Sequence, residues 1–381
     1  MALRKRSTPP PMRIPVPRAL LEFQRSGGAV PLSGATPGES LRIAVVVPQF
    51  RRGSGGHKTI ADIVRGLEAR GHAPSIWVED EEGRHHGEDV DGLWHSFFGR
   101  MAKPVRLGFD EWDGADIVMA TGWQTVHRSL LLPRVAARAY FVQDHEPEFY
   151  ATSPQRIWAE QTYGLGLHPI CASPWLAGLL EERYGVEASS FDLGVDHEVY
   201  RPLPTHRRED LVLFYARAVT PRRAVPLGLL ALEELKWRRP GVEVALFGEA
   251  RRILTPFKHL DLAVMAPDKL AHAYASATVG LCLSMTNPSL VPTEMMACGL
   301  PVVDLDVPSM RDTFGADGPV ELVAFDPLAI CDAIERLLDD LELRAERSRA
   351  GTELAAGRTW ARAAEQVEAG LLAALERPRD H

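Results

Sequence analysis

The chain has 381 residues, and at roughly 150 residues per domain this length predicts two lobes, not one hydrophobic core. The 43 Lys and Arg are outnumbered by 51 Asp and Glu, and a net charge of −8 argues against a general nucleic-acid-binding surface. Four widely spaced cysteines without a CxxC pair argue against a disulfide framework or zinc ribbon and are typical of a reducing cytoplasm.

Residues 1–40 form a basic, Pro-rich N-terminal arm. Its first 18 residues contain five basic residues and no acid, and residues 26–40 are rich in Gly, Pro and Ser. This composition predicts an extended segment at the surface. Two interpretations stay open: contact with an anionic membrane surface, or a solvated tail.

The first ordered lobe is predicted over residues 41–195. A Val-rich strand at 41–48 leads through the glycine loop 53–56 into a helix at 57–70 and a strand at 74–78. This β-loop-α-β order is the first unit of a doubly wound parallel sheet. Further strands are predicted at 116–120, 139–142 and 169–172, and further helices at 123–137, 154–163 and 174–184.

The α/β pattern restarts after a short strand at 189–193 and a Pro-bearing hinge at 194–204. Strands are predicted at 211–216, 242–247, 263–265, 278–283, 301–305 and 321–324, and helices at 227–238, 268–276, 292–298, 327–339, 342–356 and 360–375. We therefore expect a second lobe over residues 196–358. Residues 359–381 are expected to form a helix that packs back on the first lobe.

The most informative stretch is residues 284–304, which predicts a strand end, a loop, a helix and a second strand. The free N–H groups of Ser289, Leu290 and Val291 at the helix start favour an anion. Glu294, predicted in the first helical turn, could accept two ribose hydroxyls or could simply cap the helix.

Within this stretch, the run PTEMMACGLPVV at residues 292–303 resembles the nucleotide-sugar signature of the family-4 glycosyltransferases. The resemblance implies the α/β GT-B fold, two Rossmann-like lobes facing each other across a cleft with C-terminal helices. It covers about residues 41–370. The runs FVQDHEPEFY at 141–150 and FYARAVTPRR at 214–223 resemble bacterial rhamnosyltransferases that build cell-surface glycans.

The resemblance implies roles for individual residues of the second lobe. Glu294 should bind the donor ribose, and Arg217 should hold the diphosphate. The family usually places a Lys about five residues later, where Arg222 or Arg223 stands here and could contact phosphate oxygens with its planar fork. From the residues alone, Arg217 could instead be a surface salt-bridge partner.

One position departs from the family signature, which has two glutamates. Thr286 stands where the first glutamate, a residue that helps to hold the donor sugar, is expected. A deoxyhexose or another altered sugar could dispense with that carboxylate. Weak or absent catalysis is the other interpretation.

The first lobe should supply the opposite wall of the cleft. Gly55 and Gly56 allow a bound group to approach the backbone closely. Asp144, His145 and Glu146 follow a predicted strand, and because the cleft lies beyond the carboxyl ends of the strands, we expect them to face it. His145 matches the family position of a cleft residue near the sugar, although a single His is often structural.

These observations predict a retaining glycosyltransferase. It would move a hexose, with rhamnose or another deoxyhexose as candidates, from a nucleotide-diphosphate sugar to a hydroxyl of a glycan or lipid-linked acceptor. The expected catalytic residues are Arg217, His145 and Asp144, in the cytoplasm at or near the inner membrane face. No cofactor or metal is expected, because cationic residues can neutralise the phosphates, and Asp304-Leu-Asp306 is discounted as a metal motif.

Two alternatives stay open. A nucleotide-sugar epimerase of the same architecture would use Asp144 and Glu146 as acid and base. A non-catalytic nucleotide-sugar-binding protein would account for Thr286.

Overall fold

The first lobe is built on a seven-stranded parallel sheet in the order β3-β2-β1-β4-β5-β6-β7. In this computed structural model, which describes residues 16–34 and 38–377, its strands are β1 (Arg42–Pro48), β2 (Ala73–Glu79), β3 (Arg106–Leu107), β4 (Ala115–Ala120), β5 (Val135–Val142), β6 (His168–Cys171) and β7 (Ser189–Ser190). Its helices are α1 (Arg18–Arg25), α2 (Gly55–Ala69), α3 (Val90–Phe98), α4 (Trp123–Leu131), α5 (Pro154–Thr162) and α6 (Pro174–Tyr184). Val45, Val46 and Val47 of β1 are all fully buried, as expected for a sheet covered on both faces.

The second lobe is built on a six-stranded parallel sheet in the order β10-β9-β8-β11-β12-β13. Its strands are β8 (Leu211–Tyr215), β9 (Glu243–Phe247), β10 (Leu260–Asp261), β11 (Val279–Leu281), β12 (Val302–Leu305) and β13 (Val320–Val323). Its helices are α7 (Val225–Arg238), α8 (Pro267–Ser276), α9 (Leu290–Ala297), α10 (Pro308–Phe314), α11 (Pro327–Asp339) and α12 (Leu341–Ala356). The two sheets confirm the predicted α/β fold class.

The last helix, α13 (Trp360–Glu376), packs against α2 and against β5, β6 and β7 of the first lobe. Val367 and Leu371 are fully buried in the core of that lobe. At Gly66 of α2, a Cβ atom would lie 2.4 Å from the Cβ of Ala364, so only glycine allows this close approach. The chain enters and leaves the second lobe side by side, because the Val195 N–H donates to the Arg358 carbonyl at 3.0 Å.

Two predicted elements of the sheets differ from the structure. The helix predicted at 123–137 ends at Leu131, because Pro133 and the left-handed Arg134 (φ 59°) turn the chain into β5. The strand predicted at 263–265 is wrong: the edge strand β10 lies at Leu260–Asp261, and Ala263 has a φ of 51°. The helices α1, α3 and α10 and the edge strand β3 were not predicted.

The described part of the N-terminal arm corrects the expectation of an extended segment. Residues 18–25 form α1, which docks on α4 through Phe23 and His127, whose ring centroids are 5.4 Å apart. Glu22 adds an ion pair to Arg128 at 3.0 Å. Most of the basic stretch, residues 1–15, and residues 35–37 lie outside the described residues, and membrane contact stays a prediction. Among the helices within 16–34 and 38–377, none has the length and apolar character of a bilayer span.

Candidate active site between the two lobes

The glycine loop lies beside the carboxyl end of β5. Gly53 has a φ of 76°, and α2 begins at Gly55 directly after Ser54. The Gln143 side chain donates to the Gly56 carbonyl at 3.3 Å, and a Cβ atom on Gly56 would lie 3.4 Å from that side chain. A Cβ atom on Gly55 would meet no atom within 4 Å, so the N-terminus of α2 is accessible there.

Asp144 connects the first lobe to the second. Its carboxylate is buried and accepts hydrogen bonds from Arg222 Nε at 2.7 Å, from Thr286 Oγ1 at 3.0 Å and from the Asn287 N–H at 3.1 Å. The N–H of the adjacent His145 also donates to it, at 2.9 Å. Asp144 therefore faces the cleft, as predicted, but both of its oxygens are already bonded.

Asn287 is a second interlobe residue that the sequence analysis missed. Its side-chain amide donates to the carbonyls of Gln143 at 3.0 Å and Ala172 at 2.8 Å, at the ends of β5 and β6. Its side-chain oxygen accepts from Ser173 Oγ at 2.7 Å. All these partners belong to the first lobe, so Asn287 anchors the loop before α9 across the cleft.

The two arginines predicted as alternatives have different surroundings. Arg222 bonds Asp144 through Nε, and its guanidinium lies 4.0 Å from the ring centroid of Phe149. Arg223 is buried within the second lobe, where it donates to Ser284 Oγ at 3.1 Å and to the Asn287 carbonyl at 3.5 Å. Arg222 therefore lies at the cleft, and Arg223 supports the loop behind it.

Arg217 follows β8 and is partly buried. Its Nε donates to Thr220 Oγ1 at 3.3 Å, and within the part of the chain that the structure describes its guanidinium makes no ion pair. Burial raises the pKa of the neighbouring Tyr215 hydroxyl, the positive charges of Arg217 and Arg223 lower it, and Glu294 raises it. The charges of these three side chains therefore all act on the Tyr215 hydroxyl at the carboxyl end of β8. No acidic partner among the described residues therefore supports the interpretation of Arg217 as one half of a surface salt bridge.

The helix α9 begins at Leu290, with the backbone of Ser289 as its N-cap. The buried Ser289 Oγ has no hydrogen-bond partner among the described residues. Glu294 lies in the second turn of α9, not in the predicted first turn, so it does not cap the helix. Burial raises the pKa of its carboxyl to about 8, and the charge of Lys58 on the first lobe opposes this shift.

His145 and Glu146 correct the expectation that they face the cleft. The His145 side chain is 2% exposed, and its Nε2 lies 2.8 Å from the Tyr184 hydroxyl within the first lobe. The Glu146 carboxylate accepts from the Trp123 N–H at 2.7 Å at the start of α4. Burial raises the pKa of Glu146 to about 7. The loop after β5 turns back into the lobe at His145, so of these three side chains only that of Asp144 forms a hydrogen bond with the second lobe.

The two carboxylates of Asp304-Leu-Asp306 have separate partners. Asp304 is fully buried and accepts from the N–H groups of Ser284 at 2.6 Å and Leu305 at 2.7 Å. Asp306 forms an ion pair with Arg311. No group of three metal-ligating side chains occurs within residues 16–34 and 38–377. Metal independence of the reaction stays a prediction.

A depression lies at the carboxyl ends of β8 and β9, close to Arg217, and the sequence analysis missed it. It is lined by Ala216, Leu246, Phe247, Glu249, Arg251, Ile253 and Asp261. Its wall combines apolar side chains with charged ones, and in this structure the depression is too narrow for a water-sized molecule. The signal in the sequence was a Gly after a strand followed by mixed residues, which is too common to identify such a place.

The second lobe matches a described family. Residues 210–335 match the profile "WsaF, C-terminal domain". The chain is 35% identical over 271 residues to the O-antigen biosynthesis protein RfbC of Myxococcus xanthus, covering 68% of this chain and 21% of that protein. It is 37% identical over 106 residues to the D-inositol 3-phosphate glycosyltransferase of Corynebacterium diphtheriae, covering 27% of this chain and 24% of that protein. The chain thus spans about a fifth to a quarter of these relatives.

The fold is shared with solved structures. HepE of Anabaena, determined in complex with UDP-glucose, superposes with a TM-score of 0.69 over 87% of this chain and 100% of its own, at 14% sequence identity. At that identity the likeness shows the fold alone. Together, the two-lobed architecture and this superposition show that the chain has the GT-B fold, and residues 210–335 are similar to a described glycosyltransferase domain.

Proposed function

We propose that the chain is a retaining glycosyltransferase of cell-surface glycan biosynthesis. It transfers a hexose from a nucleotide-diphosphate sugar to a hydroxyl of a glycan or lipid-linked acceptor. One observation carries the proposal: Arg217, the start of α9 and Glu294 follow two adjacent parallel strands, β8 and β11, at the same edge of the sheet. Ligands of open α/β sheets bind at that edge.

The nucleotide is assigned to the second lobe. The base is proposed to bind at the depression that follows β8 and β9, which must widen to receive it, and Glu294 accepts hydrogen bonds from the ribose hydroxyls. The diphosphate lies against Arg217 and the N–H groups at the start of α9, where the unpartnered Ser289 Oγ offers one further hydrogen bond. UDP is the first nucleotide to test, because the HepE structure contains UDP-glucose.

Charge stabilisation is the main chemical task of the site. As the donor bond breaks, negative charge grows on the departing diphosphate, and fixed cations and N–H groups there lower the barrier. Both oxygens of Asp144 are bonded, and His145 and Glu146 point into the first lobe. We therefore propose that the leaving phosphate accepts the proton of the acceptor hydroxyl. The hydroxyl would then approach the sugar from the face on which the phosphate departs, which retains the anomeric configuration.

The donor sugar is proposed to be rhamnose or another deoxyhexose. Thr286 replaces a carboxylate that would accept hydrogen bonds from sugar hydroxyls, and its own hydroxyl is bonded to Asp144. A sugar with fewer hydroxyl groups needs fewer acceptors in the pocket.

The experiment has two stages. Thermal unfolding is first measured with nucleoside mono- and diphosphates and with nucleotide sugars, because a ligand of the native state raises the melting temperature with its concentration. The best donor is then incubated with lipid-linked glycan acceptors, and the anomeric configuration of the product is determined by NMR.

Three outcomes contradict the proposal. If no nucleoside diphosphate raises the melting temperature, the assignment of a donor site is wrong. Epimerised donor released without acceptor would favour the epimerase, whose two carboxylates do not share the cleft in this structure. Tight donor binding without turnover on all acceptors would favour a binding protein.

A further inference from the structure

We propose that Asp144 is a positioning residue, which holds Arg222 of the second lobe in place for the donor diphosphate when the lobes are closed. The inference rests on the proposed function and deepens it. In this proposal, residues of both lobes, and not of the second lobe alone, form the site that binds the diphosphate.

Both carboxylate oxygens of Asp144 already accept hydrogen bonds from the protein, so neither is free to take a proton from a substrate. Its four donors are Arg222 Nε, Thr286 Oγ1 and the N–H groups of Asn287 and His145. Arg222 is the one cation that contacts this carboxylate within the described residues. The negative charge of Asp144 therefore acts on Arg222, and not on the reaction directly.

Arg222 is held on two sides by the first lobe. Asp144 binds its Nε, and the ring of Phe149 lies 4.0 Å from its guanidinium carbon. The two terminal nitrogens have no hydrogen-bond partner within the described ranges, so their fork is available to phosphate oxygens. A flexible side chain fixed in this way loses less entropy when the phosphate binds.

The loop before α9 is held by the same edge of the first lobe. Asn287 bonds the carbonyls of Gln143 and Ala172, and its neighbour Thr286 bonds Asp144. The start of α9, the second proposed phosphate site, is therefore fixed by contacts next to those that fix Arg222. Separation of the lobes would release Arg222 and this loop together, which couples closure to phosphate binding.

A double-mutant cycle tests the inference. Asp144→Asn, Arg222→Ala and the double variant are compared by steady-state transfer kinetics and by calorimetric titration with nucleoside diphosphate. Each single change should lower kcat by 10-fold or more, and the double variant should be no slower than Arg222→Ala, because Asp144 acts through Arg222. Multiplied losses in the double variant would overturn the inference.

Chemical rescue separates positioning from general structural support. Exogenous guanidinium should restore part of the activity of Arg222→Ala, since Asp144 and Phe149 still form its binding place. The same salt should fail to rescue the Asp144→Asn/Arg222→Ala variant. Equal rescue of both variants would contradict a role for Asp144.

Two further variants keep the test valid. Phe149→Leu removes the ring under Arg222 and should also lower kcat, which covers the case that Asp144→Asn does not fold. Asp192→Asn breaks a comparable Asp–Arg pair, with Arg358, where α13 joins the first lobe, and should leave kcat near that of the wild type. A wild type without nucleotide binding would refute the proposed function itself. An active wild type with wild-type kinetics for Asp144→Asn would refute this inference alone.

Discussion

Thr286 Oγ1 donates a hydrogen bond of 3.0 Å to Asp144 Oδ2 across the cleft. Thr286 stands where the resembled signature has a glutamate, and its partner is a buried carboxylate from the other lobe. A glutamate at this position would bring two negative charges together in a buried place, which is unfavourable. The departure from the signature is therefore matched to Asp144 and is not by itself a sign of lost activity.

The first prediction concerns this pair. Thr286→Glu should destabilise the protein by about 2–4 kcal/mol and abolish transfer, because two carboxylates would share one buried site. Thr286→Ser keeps the hydroxyl and should retain most of the stability and activity. Chemical denaturation and donor turnover of both variants provide the measurement. A stable, active Thr286→Glu variant would show that the two lobes do not need this contact.

The second prediction concerns Arg217. If its charge acts on the departing diphosphate, Arg217→Ala should reduce kcat/KM on the order of 100-fold or more, with a fall in kcat itself. Arg217→Lys should recover only part of this loss, since an ammonium cannot form the bidentate fork. Arg311→Ala, which breaks a surface pair with Asp306, is the control and should leave both stability and kcat near those of the wild type. Normal turnover by a folded Arg217→Ala would remove Arg217 from the mechanism.

The third prediction concerns the pH dependence of nucleotide binding. Burial raises the pKa of Glu294 to about 8 in the free protein, and ribose hydroxyls that donate to the carboxylate would favour its ionised form. Binding should therefore release a proton below about pH 8, and the affinity should rise with pH, by at most about tenfold per unit, and level off above that value.

Calorimetric titration between pH 6.5 and 9 in buffers of different ionisation enthalpy measures this proton release. Glu294→Gln is the matched control, because it keeps a hydrogen-bonding side chain but cannot ionise. The nucleotide affinity of the wild type should rise more steeply with pH than that of Glu294→Gln. Identical slopes would show that Glu294 does not contact the nucleotide.

The fourth prediction concerns Glu146 and stability. Burial raises its pKa from 4.5 to about 7 in the folded protein. A raised carboxyl pKa stabilises the fold at low pH, and this contribution is lost as the pH rises from about 4.5 to 7, because unfolding then lets the group ionise. Relative to Glu146→Gln, the wild type should lose on the order of 1–3 kcal/mol of unfolding free energy across this window. If the unfolding free energies of the two proteins change with pH in parallel, Glu146 does not titrate between pH 4.5 and 7.

The fifth prediction concerns metal ions. The proposed phosphate site is lined by arginines and helix N–H groups, so transfer should persist in a strong chelator. Activity is compared with and without chelator, and then after addition of magnesium or manganese. Complete loss that a divalent ion restores would assign a catalytic role to a metal.

The sequence predicted the sheets and several helices of the second lobe well, because their signals are local. α11 occupies 327–339 as expected, since Pro327 and the apolar spacing mark both its start and its buried face. The start of α9 lies within two residues of its predicted position. Hydrophobic periodicity and helix-start residues act over a few neighbours and can be read without the fold.

The interlobe contacts could not be predicted in the same way. Asn287 lies 115 residues from Ala172 and 144 from Gln143, and its loop composition gives no sign of these partners. Likewise, the strand before Asp144 predicted that the following residues face the cleft, but the reversal at His145 depends on Tyr184, 39 residues away. Such pairings join residues that are far apart in the chain, and they are decided by tertiary packing within and between the lobes.

The return of α13 to the first lobe has a consequence for synthesis of the chain. Residues 41–195 leave the ribosome long before Val367 and Leu371, which complete their core, whereas residues 196–358 emerge as one uninterrupted stretch. Domains usually fold in the order in which they are made. Here the first lobe must wait for the last helix, so the lobe that is made second is expected to be the first to finish folding.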